Sequence, residues 1–173
     1  MSLATLASRV SVAAAKALPR PQVVVPDAVT LMRTAGLEPD PWQVDVACSQ
    51  SDRILLNCCR QSGKTQVAAS LALATAMQEP GSLTLMLAPS LRQSAESFRA
   101  VVGLYTHWQA QLPTAAESML RMELANGSRI VSLPGNESNV RGFSKVSLLV
   151  VDEASRVLDE LFYAVRPMLA FSS

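Results

Sequence analysis

Asn57-Cys58-Cys59-Arg60-Gln61-Ser62-Gly63-Lys64-Thr65 is the stretch of this sequence that decides the fold. It follows a short apolar run, Arg53-Ile54-Leu55-Leu56, and leads into an alanine-rich stretch from Gln66 to Met77. Strand, tight loop and helix in that order are the context in which Gly-Lys-Thr forms a phosphate-binding loop, or Walker A motif. The free N–H groups at the start of the helix favour an anion. We expect Lys64 to reach the β and γ phosphates and Thr65 to hold Mg²⁺.

One position departs from the usual phosphate-loop pattern, G-x-x-x-x-G-K-[ST]. The first glycine of that pattern falls at Cys58. Because Gly-Lys-Thr tripeptides also arise by chance, the loop taken alone favours a surface turn. The interpretation as a phosphate loop therefore depends on a second element.

The second element runs from Val146 to Glu153, and five of the six residues before Asp152 are aliphatic. This pattern predicts a strand that is buried on both faces of a parallel sheet and ends in two carboxylates, as in a Walker B motif. Asp152 is expected to bind Mg²⁺, and Glu153 to polarise the attacking water as general base. An acidic pair also suits the first turn of a helix, and a helical pattern does follow from Ala154. Loop and carboxylates together predict a P-loop NTPase.

Composition limits the classes of protein to which the chain can belong. Its 173 residues, 49% hydrophobic and 17% charged, predict one globular domain rather than a disordered chain. The net charge of +1 gives no strong field for nucleic acid, so DNA contact needs a local patch or residues outside this chain. No apolar run is long enough to cross a bilayer, and no membrane partner is expected.

The N-terminal region and the cysteines carry weaker signals. Residues 1–26 contain no acid, which is typical of a transit peptide and equally of a surface helix or frayed tail, and we favour the tail. We assign residues 1–36 to this tail and a short helix, and residues 37–173 to the NTPase domain. The three cysteines lack metal-ligand spacing, suit a reducing setting and are interpreted as buried small apolar residues: Cys48, Cys58 and Cys59.

Alternating patterns along the chain predict the architecture. A buried strand at residues 82–88 precedes a helix from Leu91 to about Leu112, and Asn126-Gly127 joins two short strands as a hairpin. A helix from about Ala154 to Val165 follows the carboxylates. These elements predict an α/β fold with a mostly parallel sheet, helices on both faces and one β-hairpin. The phosphate loop and Asp152 are then expected at the carboxyl ends of neighbouring strands.

An aromatic residue and a glutamine, Trp42 and Gln43, stand shortly before the loop. Asp40 is a suitable N-cap for a helix with Pro41 at its first position. Such a pair is similar to the adenine-contacting element of several ATPases, because a glutamine amide can pair with the adenine edge through both its groups. A core tryptophan beside an exposed glutamine is the alternative interpretation.

The order of the motifs is more specific than any one of them. In chain order they are Pro41-Trp42-Gln43, Cys59 to Thr65, Leu87-Ala88-Pro89 with Gln93, Val140-Arg141-Gly142, and Leu149 to Ala154. From about residue 37 to 169, this series resembles the ATPase domain of the large terminase subunit of tailed bacteriophages, the motor that packages DNA into procapsids. That family's loop characteristically reads Arg-Gln-x-Gly-Lys-Thr and often lacks the first glycine, so the departure at Cys58 fits it.

The resemblance implies a RecA-like (ASCE) fold and Mg-ATP hydrolysis that powers DNA translocation. It implies an adenine contact at Gln43, metal contacts at Thr65 and Asp152, and catalytic roles for Lys64 and Glu153. The residues it implies around the phosphates are Arg60, Gln61, Ser62, Gly63, Lys64 and Thr65.

The role of arginine finger has two candidates. Arg60 would act within its own subunit, whereas Arg141 would act on a neighbouring subunit in a ring. We favour Arg141, for which the alternative is a solvated loop residue.

The same resemblance implies partners and a boundary. The implied partners are double-stranded DNA through the full motor, further copies in a homo-oligomeric ring, the portal and the small terminase subunit, in the host cytoplasm. Large terminase subunits continue into a strand with a coupling motif and then a nuclease domain. This sequence reaches Ser173 where that strand would begin, so we expect a C-terminally incomplete ATPase domain without nuclease activity and with a sheet edge open to self-association.

Three alternatives stay open at this point. The first is a P-loop helicase or translocase of another family, which shares the acidic pair after a buried strand. The second is a nucleotide-binding module without turnover. The third is an α/β domain that has no nucleotide site.

Overall fold

The structure, a computed structural model, describes residues 25–134, 140 and 142–169. Within these residues five strands form one sheet in the order β2-β3-β4-β1-β5. The strands are β1 (Leu83–Ala88), β2 (Thr114–Ser118), β3 (Arg121–Leu124), β4 (Arg129–Pro134) and β5 (Leu148–Val151). The helices are α1 (Ala28–Thr34), α2 (Pro41–Ala47), α3 (Lys64–Gln78), α4 (Leu91–Tyr105) and α5 (Asp159–Leu169). A short 3-10 helix, Ala154–Arg156, lies between β5 and α5.

The sheet combines parallel and antiparallel pairs. β1 pairs in parallel with β4 on one side and with β5 on the other, while β2, β3 and β4 follow one another in antiparallel fashion. The predicted α/β fold is therefore confirmed. The hairpin between β3 and β4 lies where Asn126-Gly127 predicted it, and β2 adds a further antiparallel strand at its edge.

β1 lies at the centre of the sheet, and all six of its residues are buried. Its side chains alternate between two apolar cores. Met86 packs with α1, α3 and α4 on one face, whereas Leu85 and Leu87 pack on the other face with Leu161 and Val165 of α5. The alternation follows from the two-residue period of a strand. Helices therefore cover both faces of the sheet.

Small residues make α3 the central helix of the first core. Ala69, Ala72 and Ala76 are fully buried, and small side chains let neighbouring elements approach the helix backbone closely. A helix that is apolar around most of its circumference belongs in a core. The β-hairpin is fixed to the end of α3, because the Asn126 side chain donates a hydrogen bond to the Ala76 carbonyl at 2.8 Å.

Three expectations about element boundaries are wrong. The helix that begins at Leu91 ends at Tyr105, and turns complete the segment to Leu112. There the Tyr105 hydroxyl donates to the Leu112 carbonyl at 2.7 Å. The helix after the carboxylates begins at Asp159, since the 3-10 turn comes first.

The third wrong expectation is the strand before the phosphate loop. Residues 53–56 form no strand of the sheet, and Ile54 and Leu55 are 45% and 88% exposed. The physical reason is the distance to the sheet. Among the described residues β5 pairs only with β1, and residues 53–56 lie across the cavity from β5 instead of forming hydrogen bonds with it. The phosphate loop and Asp152 therefore do not follow neighbouring strands.

Two further observations complete the fold. The tail predicted at residues 1–26 lies outside the described residues except for Val25 and Pro26. None of the helices in the described part of the chain has the length and apolar character needed to span a bilayer.

We predict that shortening a buried side chain of the central strand β1 destabilises the protein far more than shortening an exposed leucine side chain. Leu85→Ala removes a fully buried side chain and is expected to lower the free energy of unfolding by about 2–5 kcal/mol. Leu91→Ala, the control, changes a side chain that is 56% exposed and is expected to cost about 0.5 kcal/mol or less. Urea denaturation of both variants measures the difference, and equal costs would contradict the described core.

Candidate functional site

The phosphate loop turns through two left-handed residues before α3 begins. Gln61 has a φ of 60° and Gly63 a φ of 85°. Glycine adopts this conformation freely, whereas other residue types reach it at a cost. Space at Gly63 is also restricted, because the side-chain amide of Gln43 lies where a Cβ would stand. The backbone conformation therefore requires the glycine of Gly-Lys-Thr, and a larger residue would also displace the Gln43 amide.

Hydrogen bonds from two loop side chains close the loop on its own backbone. The Lys64 ammonium donates to the carbonyls of Cys58 at 3.0 Å and Cys59 at 2.6 Å. The Ser62 hydroxyl donates to the Cys59 carbonyl at 3.0 Å. The positive charge of Lys64 thus lies against the loop, at the N-terminus of a 15-residue helix. Charge and helix end together favour a bound anion at this place.

Gln43 joins the loop to α2. Its Oε1 accepts a hydrogen bond from the Asp40 backbone N–H at 2.8 Å, which completes the capping box at the start of α2. Its Nε2 donates to the Ser62 carbonyl at 3.1 Å. The side chain is buried, contrary to the alternative of an exposed glutamine.

The two carboxylates follow β5, as the sequence predicted. The Asp152 N–H extends the ladder by donating to the Leu87 carbonyl of β1 at 2.8 Å. Asp152 Oδ1 accepts a hydrogen bond from the Glu153 N–H at 2.9 Å. Glu153 itself has a left-handed backbone with φ 47° and ψ 46°. A non-glycine residue in this region is strained, and such strain is concentrated at functional sites.

Arg156 is a neighbour of the carboxylates that the sequence analysis did not identify. Its Nε lies 3.4 Å from Glu153 Oε2, and both side chains are largely exposed. The spacing of three residues was the available signal, but it places two side chains together only if a helical turn begins at Glu153. The observed 3-10 turn supplies that geometry.

One cavity of about 1400 Å³ brings the phosphate loop and the carboxylates together. Lys64 and Thr65 line it from the start of α3, and Asp152 and Glu153 line it from the end of β5. Most of its remaining lining is apolar and includes Ile54 to Leu56, the strand β5 and the end of α5. The cavity therefore combines a polar, charged end with an apolar body.

The donor set at the polar end fits Mg²⁺ bound together with phosphate. A threonine hydroxyl and one carboxylate, Thr65 and Asp152, are oxygen ligands of the kind that Mg²⁺ uses alongside waters and phosphate oxygens. No group of three or more His, Cys, Asp or Glu residues that could hold a metal occurs among the described residues.

Other predicted site residues lie apart from this cavity. Arg60 and Gln61 are exposed on the loop and, like Ser62 and Gln43, are not among its lining residues. Arg141 lies outside the described residues.

The interpretation of the cysteines as buried is wrong. Cys48 and Cys59 are exposed, and Cys58 is half-buried. Cys48 is the C-cap of α2, and the other two lie on the phosphate loop, which is a surface feature. The sequence carried no signal for this exposure, since small apolar residues next to an aliphatic run are more often buried.

Comparisons with known proteins place the fold. No protein-family model matches the chain, and no curated protein matches it. Among solved structures, the chain is similar to the large terminase ATPase domain of Thermus phage P74-26, with a TM-score of 0.72 and 22% sequence identity. A point mutant of that domain gives a TM-score of 0.69 at 20% identity.

The structural similarity extends over most of this chain but over a smaller share of the two terminase chains. It covers 80% and 82% of this chain, but only 63% and 64% of the two terminase chains. The chain thus matches less than two thirds of the length of those domains. The resemblance stated from the sequence is confirmed at the level of the fold.

We predict that the protein is more stable with glycine than with alanine at position 153. Glu153→Gly suits the left-handed backbone, and relative to Glu153→Ala it is expected to raise the free energy of unfolding by about 1 kcal/mol. Both variants lose the carboxylate and the contact with Arg156 equally, so their difference isolates the backbone. Urea denaturation measures it, and equal stabilities would show that residue 153 is not strained.

Proposed function

We propose that this chain binds Mg-ATP and hydrolyses it as the ATPase domain of a large terminase subunit, a DNA-packaging motor. The observation that carries the proposal is the shared cavity, which Lys64 and Thr65 enter from one side and Asp152 and Glu153 from the other. A phosphate-binding loop facing two carboxylates is the arrangement that phosphoryl transfer to water needs. The likeness to a terminase ATPase domain supports the motor class.

Each residue has a distinct role in this proposal. Lys64 exchanges its carbonyl partners in the loop for the β and γ phosphates, which is a small movement of a flexible side chain. Thr65 and Asp152 hold Mg²⁺, which when bound neutralises charge on the phosphates. Glu153 accepts a proton from the attacking water. For that step its carboxylate must leave Arg156, a partly exposed pair that is weak enough to break.

An arginine finger and a contact to the adenine base complete the proposed site. Arg141 acts on a neighbouring subunit in a ring, or Arg60 acts within its own subunit, to stabilise charge on the γ-phosphoryl oxygens. The adenine contact at Gln43 stays a prediction, although the Gln43 amide is bound to the backbone of Asp40 and Ser62 in the structure. Gln61, Ser62 and Gly63 contribute backbone N–H groups to the phosphates.

The proposed partners follow from the motor class. They are double-stranded DNA, further copies of the chain in a ring, the portal and the small terminase subunit, all in the host cytoplasm. No nuclease activity is part of the proposal. The net charge of +1 makes strong DNA binding by this chain alone unexpected.

Two observations favour a second candidate, a nucleotide-binding module without turnover. Glu153 is paired with Arg156, and within the described part of the chain the second edge of β5 faces the cavity and pairs with no strand. In that case the site binds ATP but does not place the water. A helicase or translocase of another family shares the same site residues, and ATP-driven strand separation without a procapsid would distinguish it.

We predict that Lys64 and Glu153 affect different steps of ATP hydrolysis. Lys64→Ala should abolish binding of Mg-ATP, whereas Glu153→Gln should retain binding and lower the rate of phosphate release about 10²–10⁴-fold. Glu38→Gln, an exposed residue on the segment before α2, is the matched control. Calorimetry measures binding, and a coupled phosphate assay measures turnover. ATP binding without turnover by the parent would favour the second candidate.

The arginine-finger assignment predicts how the specific ATPase activity depends on protein concentration. If Arg141 serves a neighbouring subunit, the specific activity should rise with concentration, and Arg141→Ala should abolish turnover but not ATP binding. Arg60→Ala would have that effect if the finger acts within one subunit, with activity independent of concentration. Arg92→Ala, on the exposed side of α4, serves as the control. If neither Arg141→Ala nor Arg60→Ala lowers the activity, neither residue is the arginine finger.

A further inference from the structure

Both ends of the Gln43 amide form hydrogen bonds with the protein's own backbone. One end accepts the N–H of Asp40 at 2.8 Å, and the other end donates to the carbonyl of Ser62, 19 residues away, at 3.1 Å. The side chain is only 8% exposed. A carboxamide that pairs with a base edge uses its oxygen and its nitrogen together. Here both point at backbone groups on two different elements.

The contact with the loop is close as well as polar. Gln43 Nε2 lies so close to Gly63 that a Cβ there would collide with it. Gly63 directly precedes Lys64, the first residue of α3. The two residues on either side of this contact, Ser62 and Lys64, close the loop through the carbonyls of Cys58 and Cys59. The amide therefore fixes the loop at the point where its N–H groups turn toward α3.

We propose that Gln43 is a positioning residue of the phosphate loop, and that it governs the binding of the triphosphate whatever base is attached. The proposal rests on the nucleotide site proposed above and deepens it. The carbonyl of Ser62 is tied to the cap of α2, so the loop keeps the shape that receives phosphates. The class of ligand that depends on Gln43 is then any magnesium-bound triphosphate, including one without a nucleoside.

Gln43→Glu separates the two hydrogen bonds of the amide. Glutamate at this third helical position still accepts the N–H of Asp40 and preserves the capping box, but its carboxylate cannot donate to the Ser62 carbonyl. Gln43→Ala removes both bonds. Gln109→Ala changes an exposed glutamine away from the loop and is the control. Thermal unfolding confirms that each variant is folded before binding is measured.

Calorimetric titration with Mg-ATP, Mg-GTP and magnesium tripolyphosphate tests the role. We expect Gln43→Ala, which adds no charge beside the loop, to weaken the binding of all three ligands by a similar factor, about tenfold. Gln43→Glu should weaken them at least as much, since its carboxylate also repels each triphosphate, and Gln109→Ala should leave them unchanged. A loss confined to ATP would overturn the proposal and identify Gln43 as an adenine contact. Unchanged binding of tripolyphosphate in both Gln43 variants would overturn it too.

A second measurement needs no nucleotide. The rate at which N-ethylmaleimide modifies the half-buried Cys58, read from peptide fragmentation spectra, should rise in Gln43→Glu because the loop is released. The rate at Cys48, the C-cap of α2, should not change unless that helix unfolds. An unchanged rate at Cys58 would overturn the positioning role.

The two measurements also separate this inference from the function on which it rests. A parent protein that binds neither ATP nor tripolyphosphate would overturn the proposed function together with the binding role of Gln43. A faster modification of Cys58 in that same case would still support the positioning of the loop. Binding by the parent with equal losses for all three ligands supports both.

Discussion

The constraint on which the rest of the structure depends is the left-handed turn at Gly63. It lets the chain leave an exposed loop and enter a buried helix within one residue, because Lys64 already belongs to α3. Any side chain at this position would strain the backbone and displace the Gln43 amide. The alanines of α3 allow close packing, and α1, α4 and the β-hairpin pack against this helix. The turn at Gly63 therefore sets the position of the first core relative to the loop.

Burial depends on partners more than on composition, and the sheet shows this clearly. β1 has strands on both sides and is buried at every residue, whereas all four residues of β5, which has one partner strand, are only half-buried. Three of the four residues 53–56 are aliphatic, but this segment has no partner strand among the described residues, and Leu55 is 88% exposed. Exposed aliphatic side chains beside an unpaired strand edge lower solubility and favour further strand pairing.

This dependence explains which features the sequence could predict. The turn at Asn126-Gly127, the loop before α3 and the carboxylates after β5 were predictable, since each is specified by local residue chemistry. The absence of a strand at residues 53–56 was not predictable. Their aliphatic pattern is typical of a strand, and whether a strand forms depends on a pairing partner that the local sequence does not specify. Gln43 was similarly ambiguous. Its position before the loop was evident from the sequence, but its amide is oriented by hydrogen bonds to Asp40 and to Ser62, which is 19 residues away.

The candidate site consists of two halves that are anchored independently. The loop half is held by Gln43 and by the packing of α3, whereas the carboxylate half is held by the ladder between β5 and β1, which Asp152 extends through Leu87. No hydrogen bond or ion pair among the described residues joins Lys64 or Thr65 to Asp152 or Glu153 across the cavity. A ligand that contacts both halves would supply that connection. Its binding free energy would then stabilise the cavity itself, because a ligand that binds only the folded arrangement shifts the equilibrium toward it.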